Sequence, residues 1–164
     1  MSDLPQGWDS CSLGELGYWS SGGTPSRRNP DYFGGRIYWI KSGDLPDGPI
    51  LYTDETITAL GLQNSAAKLL PINTICIALY GATIGKLGIT TFEAATNQAV
   101  ANLVADQTLV HTKYVFYFLK SARQHFVELG QGGAQPNISQ QIVRESIIPI
   151  APIKEQQQIG RAHV

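Results

Sequence analysis

The stretch Gly-Gln-Gly-Gly-Ala-Gln-Pro-Asn-Ile at residues 130–138 separates the clearest helical pattern of the chain from a short polar segment. Apolar residues recur at steps of three or four through residues 112–129, which predicts one long amphipathic helix with Gly130 at its C′ position. The predicted core stripe of this helix contains Tyr114, Val115, Phe118, Leu119, Ala122 and Phe126.

The end of the stretch predicts a constrained polar loop. Pro136 fixes its own φ angle and favours an extended conformation for Gln135. Asn137 or Ser139 is then expected to cap a short helix at residues 140–145. Two interpretations stay open: a surface loop whose amides contact a partner, or an ordinary glycine-rich connection between helices.

Outside this region, the sequence alternates strand-like and polar segments. Runs of β-branched and apolar residues bounded by Gly, Pro or Asn predict strands at residues 37–40, 74–80, 87–91, 99–104 and 147–150. Ser12 and Glu15 match a capping box, which predicts a helical turn between them. The mixture predicts an α/β fold of the α+β type.

Composition indicates one globular domain. The chain has 164 residues, of which 43% are hydrophobic and 15% charged, and no run is long enough to cross a membrane. No basic, apolar signal sequence opens it. Cys11 and Cys76 lie far apart in apolar surroundings, so we expect free, buried thiols and a cytoplasmic location.

Charge is balanced overall but uneven along the chain. The formal net charge is −1, which argues mildly against an autonomous nucleic-acid binder. An early basic cluster is followed directly by acidic residues, so the pattern fits either a DNA-contacting patch or a solvated charged face. The basic residues are Arg27, Arg28, Arg36 and Lys41, and the acidic ones are Asp44, Asp47, Asp54 and Glu55.

Two motifs resemble catalytic signatures without completing them. Residues 81–87 have three residues between the glycines instead of four, and Leu87 replaces the hydroxyl of a phosphate-binding loop, so a glycine-rich hairpin is predicted. Residues 29–33 lack the second proline of an amino-methyltransferase loop and predict a turn. The histidines are isolated and lack zinc-ligand spacing. We therefore predict that the chain is not an enzyme and carries no metal or cofactor.

Eight ordered motifs resemble one target recognition domain of the DNA specificity subunit of type I restriction–modification systems. They are Leu4-Pro5-Gln6-Gly7-Trp8, Ser21-Gly22-Gly23-Thr24-Pro25-Ser26, Asn29-Pro30-Asp31-Tyr32-Phe33-Gly34-Gly35, Trp39-Ile40-Lys41-Ser42-Gly43-Asp44-Leu45, Tyr80-Gly81-Ala82-Thr83-Ile84-Gly85-Lys86, Thr96-Asn97-Gln98-Ala99, Gly132-Gly133-Ala134-Gln135-Pro136-Asn137-Ile138-Ser139 and Pro149-Ile150-Ala151-Pro152. The resemblance covers residues 4–159.

The resemblance implies a fold, a function and partners. The fold would be a mixed, twisted β-sheet or partial barrel with one long amphipathic helix and the start of a conserved C-terminal helix. The function would be sequence-specific binding of double-stranded DNA. Partners would be methyltransferase subunits, a restriction and translocation subunit, and a second recognition half. S-adenosylmethionine, ATP and magnesium would belong to those partner subunits.

Polar side chains in the motif loops are the candidate DNA contacts, since Arg, Asn, Gln, Lys, Ser and Thr supply the donors and acceptors that read bases and phosphates. They are Thr24, Ser26, Arg27, Arg28, Lys41, Ser42, Tyr80, Lys86, Gln98, Gln135 and Asn137. Motifs shared by relatives with different targets favour phosphate contact or fold maintenance. Base readers are therefore expected between motifs, for example in residues 47–63 or 107–112.

The resemblance also predicts a domain division. Residues 4–152 would form the recognition domain and residues 153–159 the start of a spacer helix. Residues 160–164, which depart from the family pattern, would be a tail that is not native sequence. An alternative function is a protein-interaction half-subunit that docks a methyltransferase, or dimerises through its last helix, without reading DNA.

Overall fold

A computed structural model describes residues 3–162, in which short strands and helices alternate in a mixed order. The strands are β1 (Asp9–Ser12), β2 (Gly17–Ser21), β3 (Phe33–Ile40), β4 (Gly48–Ile50), β5 (Glu55–Ile57), β6 (Ile75–Ala78), β7 (Leu87–Thr90), β8 (Ala94–Thr96), β9 (Val100–Ala105) and β10 (Ile147–Ile150). The α-helices are α1 (Ala59–Gln63), α2 (Thr112–Ser121), α3 (Arg123–Leu129), α4 (Gln140–Glu145) and α5 (Ile153–Ala162). Short 3-10 helices span Leu13–Leu16, Pro30–Tyr32, Ser42–Asp44, Gly81–Thr83 and Gly130–Gly132.

Three open sheets organise these strands, and the α/β fold with mixed sheets is confirmed. The largest sheet has the order β2-β9-β6-β7-β4, antiparallel except for the parallel pair of β7 and β4. A second sheet has the order β5-β3-β8, in which β3 is antiparallel to β5 and parallel to β8. Antiparallel β1 and β10 form the third. No barrel closes among residues 3–162.

The main core lies between the largest sheet and the helices α2 and α3. Ile75, Ile77 and Leu103 of the sheet belong to the same buried cluster as Leu119 of α2 and Phe126 of α3. The predicted strands all appear, and so does the predicted helical turn after Ser12. The backbone N–H of Ser12 donates to the Glu15 carboxylate at 3.0 Å, as a capping box requires.

The predicted long helix is divided into α2 and α3. Ala122 has a ψ angle of −1°, which ends α2. The Ser121 hydroxyl donates to the carbonyl oxygen of Phe118 at 2.6 Å and shares that acceptor with the N–H of Ala122. Such a side-chain bond competes with the helical ladder and favours a break. Phe118 of the predicted stripe is only half-buried, while Phe116, outside the predicted stripe, is buried.

Gly130 does not end α3 in the left-handed conformation expected at C′. Its φ angle is −80°, and the chain continues into the 3-10 helix Gly130–Gly132. A Cβ at this position would lie 2.7 Å from Cδ1 of Ile84, so a larger residue would require the end of the Ile84 side chain to move. Of the two predicted caps of α4, Ser139 fills the role, since its hydroxyl accepts from the N–H of Ile142 at 3.2 Å.

Helix α5 extends beyond its expected end at Ile159 and reaches Ala162. Gly160 lies against Lys113, where a Cβ would be 3.6 Å from the Cβ of Lys113, an ordinary contact. The helix continues through this glycine. His163 and Val164, in the predicted non-native tail, lie outside the described residues. The division at residues 152 and 160 stays a prediction.

A buried glutamine fixes the first turn of α5. The Gln156 side chain is 1% exposed, accepts from the N–H of His111 at 2.9 Å and donates to the carbonyl oxygen of Ala151 at 2.8 Å. The indole N–H of Trp8 donates to the carboxylate of Glu155, the residue before Gln156, at 2.9 Å. These bonds set the direction of α5 relative to the start of α2.

Both cysteines are free, but only Cys76 is buried, while Cys11 is half-buried. Burial raises the pKa of the Cys76 thiol to about 12, which keeps it protonated at neutral pH. Within residues 3–162, every helix is too short or too polar to span a bilayer.

Candidate functional site

Strand direction brings the motif loops of the sequence to one end of the molecule. The last residues of β2 and β6 pair with the first residues of β9, at Ser21 with Ala101 and Ala78 with Val100. The last residues of β3 and β8 lie at the same end of the molecule, where the N–H of Asn97 donates to the carbonyl oxygen of Ile40 at 2.9 Å. We call this end the loop edge, formed by residues 21–28, 41–44, 79–86, 97–99 and 133–139.

One side of the loop edge is the segment that follows β2. The Thr24 hydroxyl donates to the side-chain oxygen of Gln98, and the N–H of Gly23 donates to the carbonyl oxygen of Thr96 at 2.9 Å. The Gln140 amide of α4 donates to the Ser21 hydroxyl at 3.2 Å. Thr24 and Gln98 are thus held together as exposed polar groups, although they are far apart in sequence, and Ser26 is exposed two residues after Thr24.

The other side joins the β6–β7 hairpin to the glycine-rich loop. The N–H of Gly81 donates to the carbonyl oxygen of Pro136 at 2.7 Å, and Tyr80 forms an isolated antiparallel bridge with Asn137. A cleft of about 550 Å³ lies between them, lined by Tyr80, Gly81, Ala134, Gln135, Pro136 and Asn137. The Asn137 amide donates to the carbonyl oxygen of Gln135 at 3.2 Å, so it stabilises the loop and does not cap α4.

An ion-pair cluster occupies the part of the edge next to β3 and β5. The two terminal nitrogens of Arg27 donate to the two oxygens of Glu55 at 2.6 and 3.0 Å. Lys41 donates to Glu55 at 2.6 Å and to Asp54 at 3.1 Å. The Arg27 guanidinium carbon also lies 4.7 Å from the ring centroid of Phe33, within cation–π range.

The other two predicted cations, unlike Arg27 and Lys41, do not pair with a carboxylate among the described residues. Arg28 and Lys86 are exposed, and their side chains have no hydrogen-bond or ion-pair partner among residues 3–162. Ser42 lies in the 3-10 turn after Lys41. All eleven candidate residues therefore lie at the loop edge, but only Arg28 and Lys86 carry a charge that no neighbouring carboxylate offsets.

Sequence reasoning missed the acidic and helical contributors to this edge. Glu55 and Asp54 enter through ion pairs, and Asp47 pairs with Arg123 of α3. In the sequence, the only signal for the ion pairs of Glu55 and Asp54 was the acidic cluster that directly follows the basic cluster. Residues 53–55 of the proposed variable segment 47–63 reach the loop edge, whereas residues 107–112 follow β9 and lie at the opposite end of the sheet.

The ion pairs predict a defined dependence of stability on pH. Hydrogen bonds from Arg27 and Lys41 lower the pKa of the Glu55 carboxyl from 4.5 to about 2. The stability that Glu55 contributes is therefore complete above pH 4.5 and is lost as the pH falls through about 2. We expect Glu55→Gln to be destabilised relative to the parent chain above pH 4.5 and the difference to shrink towards pH 2.

Urea unfolding at a series of pH values measures this difference. Glu93→Gln, which removes an exposed carboxylate between β7 and β8, is the control for loss of one negative charge. A Glu55→Gln difference that stays constant over the acidic range would show that the ion pairs do not stabilise the folded chain.

The chemistry available at the loop edge is recognition by hydrogen bonds and charge. Among the residues that the structure describes, no group of three His, Cys, Asp or Glu side chains is placed to hold a metal ion. Side-chain amides, hydroxyls and two unpaired cations are the groups that contact bases and phosphates in nucleic-acid complexes.

Comparison with known proteins gives one consistent match. Residues 5–162 match the family described as "Type I restriction modification DNA specificity domain". The MjaIX specificity subunit of Methanocaldococcus jannaschii is 27% identical over 162 residues, which cover 96% of this chain and 37% of that protein. The EcoR124I/EcoR124II specificity subunit of Escherichia coli is also 27% identical, over 90% of this chain and 38% of that protein.

A solved structure shares the fold. The crystal structure of the HsdS subunit from Thermoanaerobacter tengcongensis superposes with a TM-score of 0.77 over 98% of this chain and 37% of that one, at 18% sequence identity. The chain thus spans little more than a third of the length of the relatives it matches.

Proposed function

The chain belongs to the type I restriction modification DNA specificity domain family, and from this premise we propose that its loop edge binds duplex DNA and reads its sequence. The family is one of DNA specificity domains, not of catalytic domains. The observation that carries the proposal is the convergence of all eleven candidate side chains on one edge, although they come from five separate loops.

The candidate side chains divide into two roles. Arg28 and Lys86 are exposed cations that suit phosphates, and the hydroxyls of Thr24 and Ser26 add neutral donors beside them. Gln135 is exposed and its side-chain amide has no partner among the described residues, so it is available to bond an adenine edge.

Partner subunits complete the proposed activity. The chain spans 37% of the M. jannaschii specificity subunit, so the action of the whole protein is part of the proposal. Methyltransferase subunits would supply adenine methylation with S-adenosylmethionine, and a restriction subunit would supply ATP- and magnesium-dependent cleavage. The cytoplasm, where bacterial and archaeal DNA lies, is the proposed location.

Helix α5 is the proposed docking element for such a partner. Gln156 and the Trp8–Glu155 bond hold one face of its first turns against the domain. Lys154, Gln157 and Gln158 are exposed on the remaining surface. A helix whose direction is fixed and whose outer face is polar suits a hydrated interface with another subunit.

Removal of the two unpaired cations tests DNA binding. We expect Arg28→Ala combined with Lys86→Ala to weaken binding to target and unrelated duplexes alike, because phosphate contacts carry no sequence information. Two lost contacts should make the slope of log affinity against log salt shallower by about two. Fluorescence anisotropy over a salt series measures both quantities.

The matched control is Lys113→Ala combined with Lys154→Ala, which removes two exposed lysines from α2 and α5. This control changes net charge equally and should leave the salt slope almost unchanged. Equal effects of the two double variants would assign binding to overall charge and reject the loop edge. A parent chain that binds no duplex at low salt would reject the proposed function.

A further inference from the structure

The ion-pair cluster poses a question that DNA binding alone does not answer. Arg27 and Lys41 lie at the edge that would face DNA, yet each is paired with carboxylates of the same chain. The cluster contains two cations, Arg27 and Lys41, and two anions, Glu55 and Asp54, so its formal charge is zero. A surface selected only for DNA affinity would leave both cations free.

The pairing uses the same nitrogen atoms that a phosphate would need. Arg27 directs both terminal nitrogens at Glu55, which is the bidentate geometry that arginine forms with carboxylate or phosphate. Lys41 has three N–H groups, and bonds to Glu55 and Asp54 occupy two of them. A phosphate can therefore use the fork between the two terminal nitrogens of Arg27 only by displacing Glu55.

The cluster is held in place, so displacement is costly. Glu55 is the first residue of β5 and its neighbour in register is Trp39 of β3. The Arg27 guanidinium lies over Phe33 and over Trp39, with its carbon 5.1 Å from the Trp39 ring centroid. The side chains of Glu55 and Lys41 are each only 27% exposed. Neither partner swings freely into solvent.

We propose that Glu55, assisted by Asp54, is a specificity-determining residue that withholds Arg27 and Lys41 from DNA phosphates and so limits sequence-independent affinity. The inference rests on the proposed DNA-binding function. Phosphate contacts supply most of the affinity for non-target DNA, and discrimination is the difference between target and non-target affinity. Carboxylates that compete with phosphates lower the affinity for non-target DNA. Base contacts at other positions of the loop edge form with the target sequence, so they do not restore this affinity.

Glu55→Gln tests the inference because glutamine keeps the size of the side chain and removes its charge. Probed with duplexes of unrelated sequence, the variant should bind on the order of tenfold more tightly at low salt, and its salt slope should steepen by about one to two, because Arg27 loses its carboxylate and Lys41 keeps only the exposed Asp54. Asp54→Asn should steepen the slope by less than about one, since Asp54 contacts Lys41 alone, its side chain is 67% exposed, and Lys41 keeps its 2.6 Å bond to Glu55.

Two controls separate this effect from general electrostatics and from folding. Glu93→Gln makes the same change in net charge at the opposite end of the sheet and should leave the slope within error of the parent. Adding Arg27→Ala to Glu55→Gln should make the slope of log affinity against log salt shallower by about one than in Glu55→Gln alone. Thermal unfolding of each variant identifies loss of fold, and Asp54→Asn supplies the decisive reading if Glu55→Gln does not fold.

Each remaining outcome overturns the inference in a recognisable way. Unchanged or weaker binding by folded Glu55→Gln and Asp54→Asn would show that the carboxylates position the cations or only stabilise the fold. Equal tightening by Glu93→Gln would assign the effect to net charge. Absence of salt-dependent binding by the parent and all variants would reject the proposed function and this inference together.

Discussion

Replacement of Phe126 by alanine is expected to lower the free energy of unfolding by about 3–5 kcal/mol. Phe126 is the largest side chain of α3 and is completely buried. It belongs to the cluster that joins α2 and α3 to Ile75, Ile77 and Leu103 of the main sheet. Removal of the ring loses its transfer free energy and leaves a cavity that the surrounding sheet cannot fill. Guanidinium denaturation followed by circular dichroism measures the change.

Phe118→Ala is the matched comparison for this prediction. Phe118 lies on α2 and is only half-buried against the same cluster, so its replacement should cost clearly less than that of Phe126. An equal or larger loss for Phe118→Ala would show that this ring contributes more to the core than its partial burial indicates.

Gly22→Ala is expected to destabilise the chain by about 1–3 kcal/mol and to disturb the loop edge. Gly22 is buried, and a Cβ there would overlap the backbone oxygens of Thr96 and Asn97. Because both obstacles are backbone atoms, no rotamer change relieves the overlap. The segment carrying Thr24 and Ser26 must move away from Gln98, so affinity for every duplex should also fall. Denaturation and anisotropy measure the two effects.

Gly43→Ala separates this steric effect from the general cost of replacing a loop glycine. Gly43 is exposed in the 3-10 turn Ser42–Asp44, and a Cβ there would meet no atom within 4 Å. Its replacement should change stability by no more than about 0.5 kcal/mol. If Gly22→Ala were equally mild, the approach of this loop to Thr96 would be looser than the structure shows.

Local patterns predicted the strands of the core and the helical turns well, because those signals lie within a few residues. The runs at residues 74–80 and 99–104 become β6 and β9, which pair with each other. Weak strands such as β5 and β8 were missed, since each has only three residues and is defined by its neighbour β3. The break at Ala122 was also missed, because helical periodicity continues across it.

The candidate site shows the same limit. Family motifs identified the loops that meet at the loop edge, but the pairing of Arg27 with Glu55 joins residues 28 positions apart. That pairing depends on the antiparallel register of β3 and β5, which no local pattern specifies. The sequence therefore identified candidate cations but could not show which of them are neutralised.

Arg123 joins helix α3 to the loop edge. From α3 it donates to the carbonyl oxygen of Gly85 at 3.0 Å and pairs with Asp47, whose carboxylate also accepts from the N–H of Leu87 at 3.0 Å. Lys86 stands between these two anchored residues. The position of Lys86 at the loop edge is therefore fixed from the helical side of the molecule, through a single arginine of α3.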